Sequence, residues 1–275
     1  MKDRMYPVTD DHIHIDPVNG RGLAAVKDFR NAGGSHIFLV SKPSGSFGIL
    51  PGRGSDFLPV FEGTLRVAEM VREAGVTVFP VLGVHPAEVS RLSSVMPLAE
   101  AVSVMKGGLE VAAGFVGKGD AVALKSGRPH YDVPSEIWDA SNEILSFAFS
   151  LAADLDCAIQ LHAETGPCSD IVTMAAGAGL GIEQVVKHYA TPDTPLIPSM
   201  IATHPGIPDL VRQGRIFTME SDYMDENSRP GAVIGPKSVP RVTRKMIEAA
   251  VITIDDAWKI HSENPSRIYG VDINL

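Results

Sequence analysis

The stretch VTDDHIHID, residues 8–16, determines how the rest of the chain is interpreted. It places His12 and His14 one residue apart, in a short run of residues with strand-forming character. Because side chains alternate along a strand, both imidazoles point to the same face. Two imidazoles on one face can share a divalent cation. Isolated pairs of this kind also arise by chance, so the remainder of the chain has to supply further ligands.

The sequence alternates short apolar or β-branched runs with longer helical segments. The predicted strands comprise a run ending at residue 14 and residues 36–41, 76–84, 120–125, 157–162, 183–188, 198–203 and 215–222. The predicted helices span residues 21–32, 57–74, 97–115, 135–155, 169–179, 209–213, 240–251 and 255–263. Eight strands that alternate with helices favour parallel pairing through crossover connections. A length of 275 residues suits one (β/α)8 barrel, so we predict a single TIM-type α/β domain over residues 1–275.

Composition narrows the class of protein. A hydrophobic content of 44% and a charged content of 21% are those of a globular chain with material for a core. The net charge of −9 argues against a broad nucleic-acid-binding surface. Two cysteines make no disulfide framework, the N-terminus has no signal-peptide pattern, and no apolar run approaches the ~20 residues that span a bilayer. We therefore expect a cytoplasmic protein with no membrane partner.

Polar residues recur where the predicted strands end. They are His12 and His14, Lys42, His85, Lys125, His162, His188, Thr203 or His204, and Asp222. The carboxyl ends of barrel strands converge on one mouth, so we expect these side chains to face a common cavity. Four imidazoles and one carboxylate suit one or two Zn²⁺ ions, with Mg²⁺ or Mn²⁺ as alternatives. His188 is preferred to His204 as the sixth-strand ligand, because too few residues separate His204 from Asp222 for two further crossovers.

This pattern resembles the amidohydrolase superfamily, whose members carry His-x-His on the first strand, histidines ending the fifth and sixth strands, and aspartate ending the eighth. The segment GVHP, residues 83–86, is similar to that of the TatD-type branch, and the segment KSGRPHY, residues 125–131, to an archaeal-type subgroup. The resemblance covers nearly the whole chain. It implies a barrel and a metal-dependent hydrolase.

The resemblance also implies residue roles. His12 and His14 would hold the more buried cation together with Asp222, and His162 and His188 would hold a second cation. A bound dication lowers the pKa of water from 15.7 towards about 7, and Asp222 is the candidate general base. Residues in the mouth loops would bind an anionic or carbonyl-bearing substrate, namely His85, Lys42, Arg128 and His130, with Arg53 and Arg229 as weaker candidates.

Lys125 departs from the TatD pattern, which usually has glutamate at the end of the fourth strand. An ammonium would oppose a second dication at close range. Lys125 could be carboxylated, giving a carbamate that bridges two metals, or it could remain an ammonium that replaces one metal's charge and contacts the substrate. Of Asp10 and Asp11, one is expected to support a ligand and the other to be a loop charge. Glu164 and Glu220 are expected to orient imidazoles.

Three functions follow from these observations. The first is hydrolysis of a phosphoester, including nucleic acid, as a TatD resemblance suggests. The second is a small-molecule amidase, lactonase or phosphoesterase, which the acidic charge and Lys125 favour. The third, from a different class, is a barrel that binds a metal or ligand without turnover. A PHP-type phosphoesterase also begins with His-x-His, but its denser histidine and aspartate clusters are not evident in this chain.

Overall fold

The computed structural model describes residues 5–229 and 233–275, and within these ranges nine parallel strands form one curled sheet. The strands are paired in the order β8-β7-β6-β5-β4-β3-β2-β1-β9. Their bounds are β1 Thr9–His14, β2 His36–Val40, β3 Thr77–Gly83, β4 Ala123–Gly127, β5 Ala158–His162, β6 Val185–Lys187, β7 Ile197–Ile201, β8 Thr218–Glu220 and β9 Tyr223–Met224. The predicted class, an α/β fold of the TIM-barrel type, is confirmed.

Helices connect the strands and cover the outer face of the sheet. The α-helices of the described chain are α1 Leu23–Ala32, α2 Leu58–Glu73, α3 Ala87–Ser93, α4 Leu98–Val116, α5 Ser135–Asp154, α6 Asp170–Gly177, α7 Ile207–Arg212, α8 Ser238–Glu248, α9 Ile254–Trp258 and α10 Asn264–Tyr269. Short 3₁₀ turns lie at Ser44–Phe47, Gly54–Phe57 and Ile182–Gln184, and a π-helical turn at Lys259–Glu263 joins α9 to α10. No helix in residues 5–229 or 233–275 is long and apolar enough to cross a membrane.

The two ends of the sheet meet at β1. Strands β8 and β9 stand at opposite ends of the strand order, yet only two residues separate them in the chain. Strand β9 pairs in parallel with β1, and the backbone N–H of Asp222 donates to the carbonyl of His12 at 3.0 Å. The N–H of Ser221 donates to the side chain of Asp10 at 2.9 Å. These contacts curl the sheet back onto its first strand.

The C-terminal helix closes the interior of the barrel. Phe38 of β2 packs on Tyr269 of α10, with 4.1 Å between ring centroids. The Tyr269 hydroxyl also bonds Asp11 of β1 and Gln160 of β5, at 3.1 and 2.9 Å. One side chain reaches three separate strands only from inside the curled sheet. Tyr269 therefore forms part of the floor beneath the strand ends.

Every predicted strand is present, but the boundaries differ. Strand β4 runs on to Gly127, because Ser126 and Gly127 pair with Leu161 and His162 of β5 although their sequence is typical of a loop. Three elements were missed, namely β9 inside the predicted loop 223–239, α3 and α10. Each is short, and β9 has only two residues, so periodicity carried no signal for it.

Gly83 controls how closely β3 approaches β4. It pairs with Lys125, and a Cβ at this position would collide with the carbonyl oxygen of Lys125. We expect Gly83→Ala to lower the free energy of unfolding by about 1–3 kcal/mol, because backbone has to move. Urea unfolding measures this change.

Gly114, near the end of α4, is the matched control. A Cβ there meets nothing within 4 Å. Alanine favours the helix, so Gly114→Ala should raise the free energy of unfolding by about 0.5–1 kcal/mol. Equal stability of the two variants would contradict the role given to Gly83.

Candidate metal centre at the strand ends

The predicted ligands lie at the carboxyl ends of the strands. His12 and His14 stand in β1, with Lys125 in β4 and His162 at the end of β5, while His188 follows β6 and Asp222 connects β8 to β9. The structure brings all six side chains into one chain of contacts. The sixth-strand position belongs to His188, because His204 follows β7 and accepts a hydrogen bond from the Gly206 N–H.

His12 is the centre of this group. Its Nε2 lies 3.3 Å from Nε2 of His14, 3.2 Å from Nζ of Lys125 and 3.8 Å from Oδ1 of Asp222. Its ring stacks on that of His188, with centroids 4.1 Å apart and an interplanar angle of 14°. The His12 ring therefore contacts residues from four separate parts of the sheet.

His188 and His162 extend the group across the mouth. Nδ1 of His162 lies 2.8 Å from Nε2 of His188, and Nε2 of His162 lies 2.7 Å from Nδ1 of His130. The ring of His85 lies 4.5 Å from the ring of His162. His130 is exposed at the rim, whereas His188 is buried. Six histidines thus form a continuous cluster, named here the histidine cluster: His12, His14, His85, His130, His162 and His188.

The donor atoms fit a divalent cation of the zinc type. One ligand atom each from His12, His188 and Asp222 lies within 4.8 Å of the others. Zinc–ligand bonds of ~2.0–2.2 Å require donors roughly 3–4 Å apart, which is close to the observed spacing. Nδ1 of His14 lies 2.8 Å from the carbonyl oxygen of Val40, which can only accept. That bond places the His14 proton on Nδ1 and leaves Nε2 free to bind a cation.

Burial keeps the imidazoles neutral. Burial and the positive charge of Lys125 together lower the pKa of His14 to about 3. For the same two reasons the pKa values of His12 and His188 fall well below the ordinary value. The pKa of His162 also falls, because of burial and the neighbouring His85 and Lys125. Neutral imidazole is the form that coordinates a metal.

The cationic and anionic groups of the cluster are also shifted. Burial lowers the pKa of Lys125 to about 8, against the opposing effect of Asp222 and Glu220. Burial raises the pKa of Asp222, and the charge of Lys125 opposes this rise. Both shifts bring a proton-binding group closer to neutral pH, which is characteristic of functional sites.

Two buried side chains support the imidazoles from below. Glu220 accepts the N–H of Tyr189 at 2.7 Å, and its Oε1 lies 3.6 Å from Nδ1 of His188. The amide of Gln160 donates to the Asp11 carbonyl at 2.7 Å, one residue before His12. Buried polar atoms without a hydrogen-bond partner in the described chain include Nδ1 of His12 and of His188, Oε1 of Gln160 and Oε2 of Glu220. Such neighbours orient metal-binding imidazoles.

Gln160 was not predicted, although the sequence carried a signal. It is the one amide in the otherwise apolar strand CAIQLH, residues 157–162, two positions before His162. Alternation places Gln160 and His162 on the same face of β5. A polar side chain on the interior face of a buried strand needs a polar partner, and here the partners belong to β1 and α10.

The expectation that either Asp10 or Asp11 is a loop charge is wrong. Both lie within β1 and are fully buried. Asp10 accepts the Ser221 N–H, and Asp11 accepts the Thr218 hydroxyl at 2.8 Å. Burial raises the pKa of Asp10 to about 7 and that of Asp11 to about 6. The two carboxyl groups are therefore interior anchors between β1 and the last strands.

Lys42 is not a free cation in the mouth, contrary to expectation. It is buried and donates to Asp16 Oδ2 at 2.7 Å and to the Asp225 carbonyl at 3.4 Å. Asp225 in turn accepts the N–H groups of Asp16, Arg21 and Gly22. Lys42 thus ties the loop after β2 to the loops after β1 and β9.

Arg128 is likewise not free. Its guanidinium forms ion pairs with Glu164 and Asp170 and lies over the ring of Trp138, 4.6 Å from the centroid. Arg128 is therefore neutralised by its neighbours, and Glu164 contacts the guanidinium; that Arg128 binds substrate and that Glu164 orients an imidazole stay predictions. Of the weaker candidates, Arg53 pairs with Asp56. The substrate candidates that remain at the cluster are His85 and His130.

His85 has a defined proton position. Its Nδ1 accepts the Ala87 N–H at 3.2 Å. Burial lowers its pKa to about 3, so the ring is neutral and carries its proton on Nε2. The Nε2–H can donate to an oxygen atom of a substrate held beside His162.

The fold and the site together define an α/β barrel with a candidate metal centre, formed by histidines at the carboxyl ends of parallel strands. Comparison with known proteins identifies the family. Residues 9–270 match the family described as TatD related DNase, and the chain belongs to that family. It is 38% identical over 290 residues to the uncharacterized protein MJ1127 of Methanocaldococcus jannaschii, covering 98% of both chains.

Several solved structures share this fold. YjjV, a TatD homologue of Escherichia coli, aligns with a TM-score of 0.65 and 16% identity over 98% of this chain and 100% of that one. The phosphotriesterase homology protein of Escherichia coli, complexed with phosphate in its active site, aligns with a TM-score of 0.60 and 12% identity. The alignment covers 96% of this chain and 98% of that one. A mutant PTE-like lactonase of Deinococcus radiodurans aligns with a TM-score of 0.59 and 15% identity, over 96% of this chain and 95% of that one. At these identities the likeness concerns the fold.

Glu220 provides a test of how the cluster is held. Replacing its carboxylate by an amide in Glu220→Gln weakens the acceptor beside Nδ1 of His188. We expect a 10–100-fold loss of Zn²⁺ affinity, the usual effect of removing an outer partner of a ligand. Competition with a chromophoric chelator measures the affinity. The exposed Glu183 gives a matched control, Glu183→Gln, which should bind Zn²⁺ as the wild type does; equal affinity of both variants would remove Glu220 from this role.

Proposed function

We propose that this protein is a metal-dependent hydrolase that uses metal-activated water on a phosphoester substrate. The observation that carries the proposal is that His12, His188 and Asp222, from strands distant in sequence, lie within coordination reach of one another. His14 contacts His12, and His162 contacts His188. His12, His14 and Asp222 would hold the more buried cation, and His162 and His188 a second one. A zinc-type cation would supply a water whose pKa is lowered to about 7. Zn²⁺ suits this donor set best, with Mg²⁺ or Mn²⁺ as alternatives.

Asp222 is the proposed general base. Its N–H is fixed to the His12 carbonyl, and its backbone adopts the left-handed conformation with φ of 46°. This turn directs the carboxylate to within 3.8 Å of His12 Nε2. A carboxylate held there can accept a proton from the attacking water and pass it to the leaving group. Aspartate tolerates positive φ better than most residues, which suits it to this position.

Lys125 is proposed as a metal ligand in its carboxylated form. Nζ lies 3.2 Å from His12 Nε2, where an ammonium would repel a dication that shares His12. A pKa lowered to about 8 makes the neutral amine accessible, and the neutral amine is the form that adds CO₂ to give a carbamate. The alternative is an ammonium that contacts the substrate. Native mass spectrometry distinguishes them, because only the carbamate adds the mass of one CO₂.

His85 and His130 are proposed to hold the substrate. His85 presents Nε2–H beside His162, and His130 contacts His162 from the exposed rim. Both rings can donate to phosphoryl or carbonyl oxygen. These two rings and Asp222 would lie around a substrate oxygen held at the cluster.

A second candidate is hydrolysis of a small carboxyl ester, lactone or amide. The observation that favours it is an apolar cavity at the carboxyl ends of β1 and β2. The net charge of −9 also opposes the approach of a nucleic-acid polyanion. Release of nucleotides from DNA, compared with turnover of small phosphoesters, lactones and esters, separates the candidates. The absence of DNA cleavage with any of the three metals would exclude a nuclease.

Asp222→Asn tests the proposed chemistry. The amide keeps the size of the side chain but cannot accept the proton, so we expect kcat to fall 10²–10⁴-fold, the usual contribution of a general base. Initial rates on the small-substrate panel and metal content per chain are measured together. The exposed Asp272 gives the matched control Asp272→Asn, which should turn over as the wild type does.

The rival proposal is a barrel that binds metal without turnover. The rival predicts that the wild type holds its metal and hydrolyses no member of the panel.

The proposed hydrolase predicts that removing the metal with a chelator abolishes hydrolysis and that adding Zn²⁺ restores it. Unchanged rates after complete metal removal would contradict the proposed function.

A further inference from the structure

A cavity with a mainly apolar lining lies outside the histidine cluster, and none of the cluster's histidines lines it. Its volume is about 620 Å³, within the range of small-molecule pockets. It lies at the carboxyl ends of β1 and β2, between these strands and α2. The apolar lining includes Ile15, Leu39, Val40, Phe47, Val67 and Met70.

The cavity adjoins the cluster through Val40. Val40 lines it, and the Val40 carbonyl is the partner of His14 Nδ1. A second cavity, of about 310 Å³, shares Lys42 and Ser46 with it. A third shares Ser46 with the second and reaches Ala87, whose N–H bonds His85. The three cavities therefore lie side by side at the carboxyl ends of β1, β2 and β3.

Most of the polar side chains in the wall of the apolar cavity already have partners, and Arg66 lies 3.8 Å from Glu62. Lys42 is paired with Asp16, and the Asn19 amide donates to Asp16 and to the Ser46 carbonyl. The Thr64 hydroxyl donates to the Val60 carbonyl within α2. A charged or strongly polar ligand group would lose its hydration in this cavity with little in return. The cavity is suited to an apolar group.

Exposed apolar side chains mark its entrance. Val18, from the loop after β1, is 83% exposed, and Phe47, from the loop after β2, is 42% exposed. Both line the same cavity although they belong to different loops. Apolar residues that converge on an opening are typical of ligand sites, and a ligand would remove them from water.

We propose that this cavity binds an apolar alkyl or aryl substituent of the ester that is hydrolysed at the histidine cluster. The inference rests on the proposed function and specifies its substrate class: a small ester, of phosphorus or carbon, with one uncharged apolar arm. The arm lies between α2 and the ends of β1 and β2, and the reacting bond lies at the cluster. A nucleic-acid strand, charged at every phosphate, does not fit this cavity.

The first measurement varies the arm. The metal-loaded protein is assayed on a series of alkyl p-nitrophenyl phosphates and p-nitrophenyl carboxylates, from methyl to hexyl. Each buried methylene should raise kcat/KM about fourfold until the cavity is filled. A flat dependence on chain length would overturn the proposal.

The second measurement is independent of turnover. Binding of the neutral fluorescent probe N-phenyl-1-naphthylamine is titrated by its emission. Val67→Phe places a ring in the cavity and should weaken probe binding at least tenfold and flatten the chain-length dependence. Met70→Trp fills the same space from the next turn of α2 and serves if Val67→Phe does not fold. Circular dichroism and urea unfolding establish folding.

The matched control enlarges a residue in a separate cavity. Met174 of α6 lines a depression of about 450 Å³ formed with α4 and α5. Met174→Phe should bind the probe and discriminate between chain lengths as the wild type does. Wild-type probe binding by folded Val67→Phe and Met70→Trp would overturn the cavity assignment and leave the proposed hydrolysis intact. Loss of the probe in these variants, without turnover of any ester by the wild type, would instead overturn the proposed function.

Discussion

The pairing that closes the barrel at β1 is the constraint on which the candidate centre depends. The amide of Asp222 is bonded to the carbonyl of His12, so two side chains 210 positions apart in sequence are fixed by backbone rather than by their own packing. The ladder β4–β5–β6 fixes His162 and His188 in the same way. Strand spacing therefore sets the separations within the cluster, and a ligand cannot drift without breaking a ladder.

The position of the centre could be predicted from sequence because it follows from topology. Parallel strands place their carboxyl ends together, so His12, His162, His188 and Asp222 were expected to meet once the alternation of strands and helices was recognised. Nothing in that argument required contacts between side chains. Strand β9 has two residues, which is too short for an alternation of apolar and polar residues to be recognised. Only its pairing with β1 reveals it.

The surroundings of the centre could not be predicted from sequence, because they depend on partners that topology alone does not identify. One of Asp10 and Asp11 appears as a solvated loop charge until Ser221, Thr218 and Tyr269 are placed beside them. Burying a carboxyl group is costly without such partners, so a local view assigns it to a loop.

The same limit explains the cations. Arg128 and Lys42 were expected to face the substrate, since both follow strands. Their carboxylate partners, Glu164, Asp170 and Asp16, come from other connections and were not assigned to them. A cation at a strand end is available to a ligand only if no carboxylate from a neighbouring loop pairs with it. A single sequence does not show which loops are neighbours.

The floor formed by Tyr269 has a consequence for the order in which the molecule can be completed during synthesis. One hydroxyl partner of Asp11 belongs to a helix 258 positions later, and Thr9 likewise waits for His261. Contacts of such long range form slowly and cannot guide a nascent chain. The native surroundings of β1 thus become available only after α10 has been synthesised, and a metal ion at the proposed centre would be captured after that point.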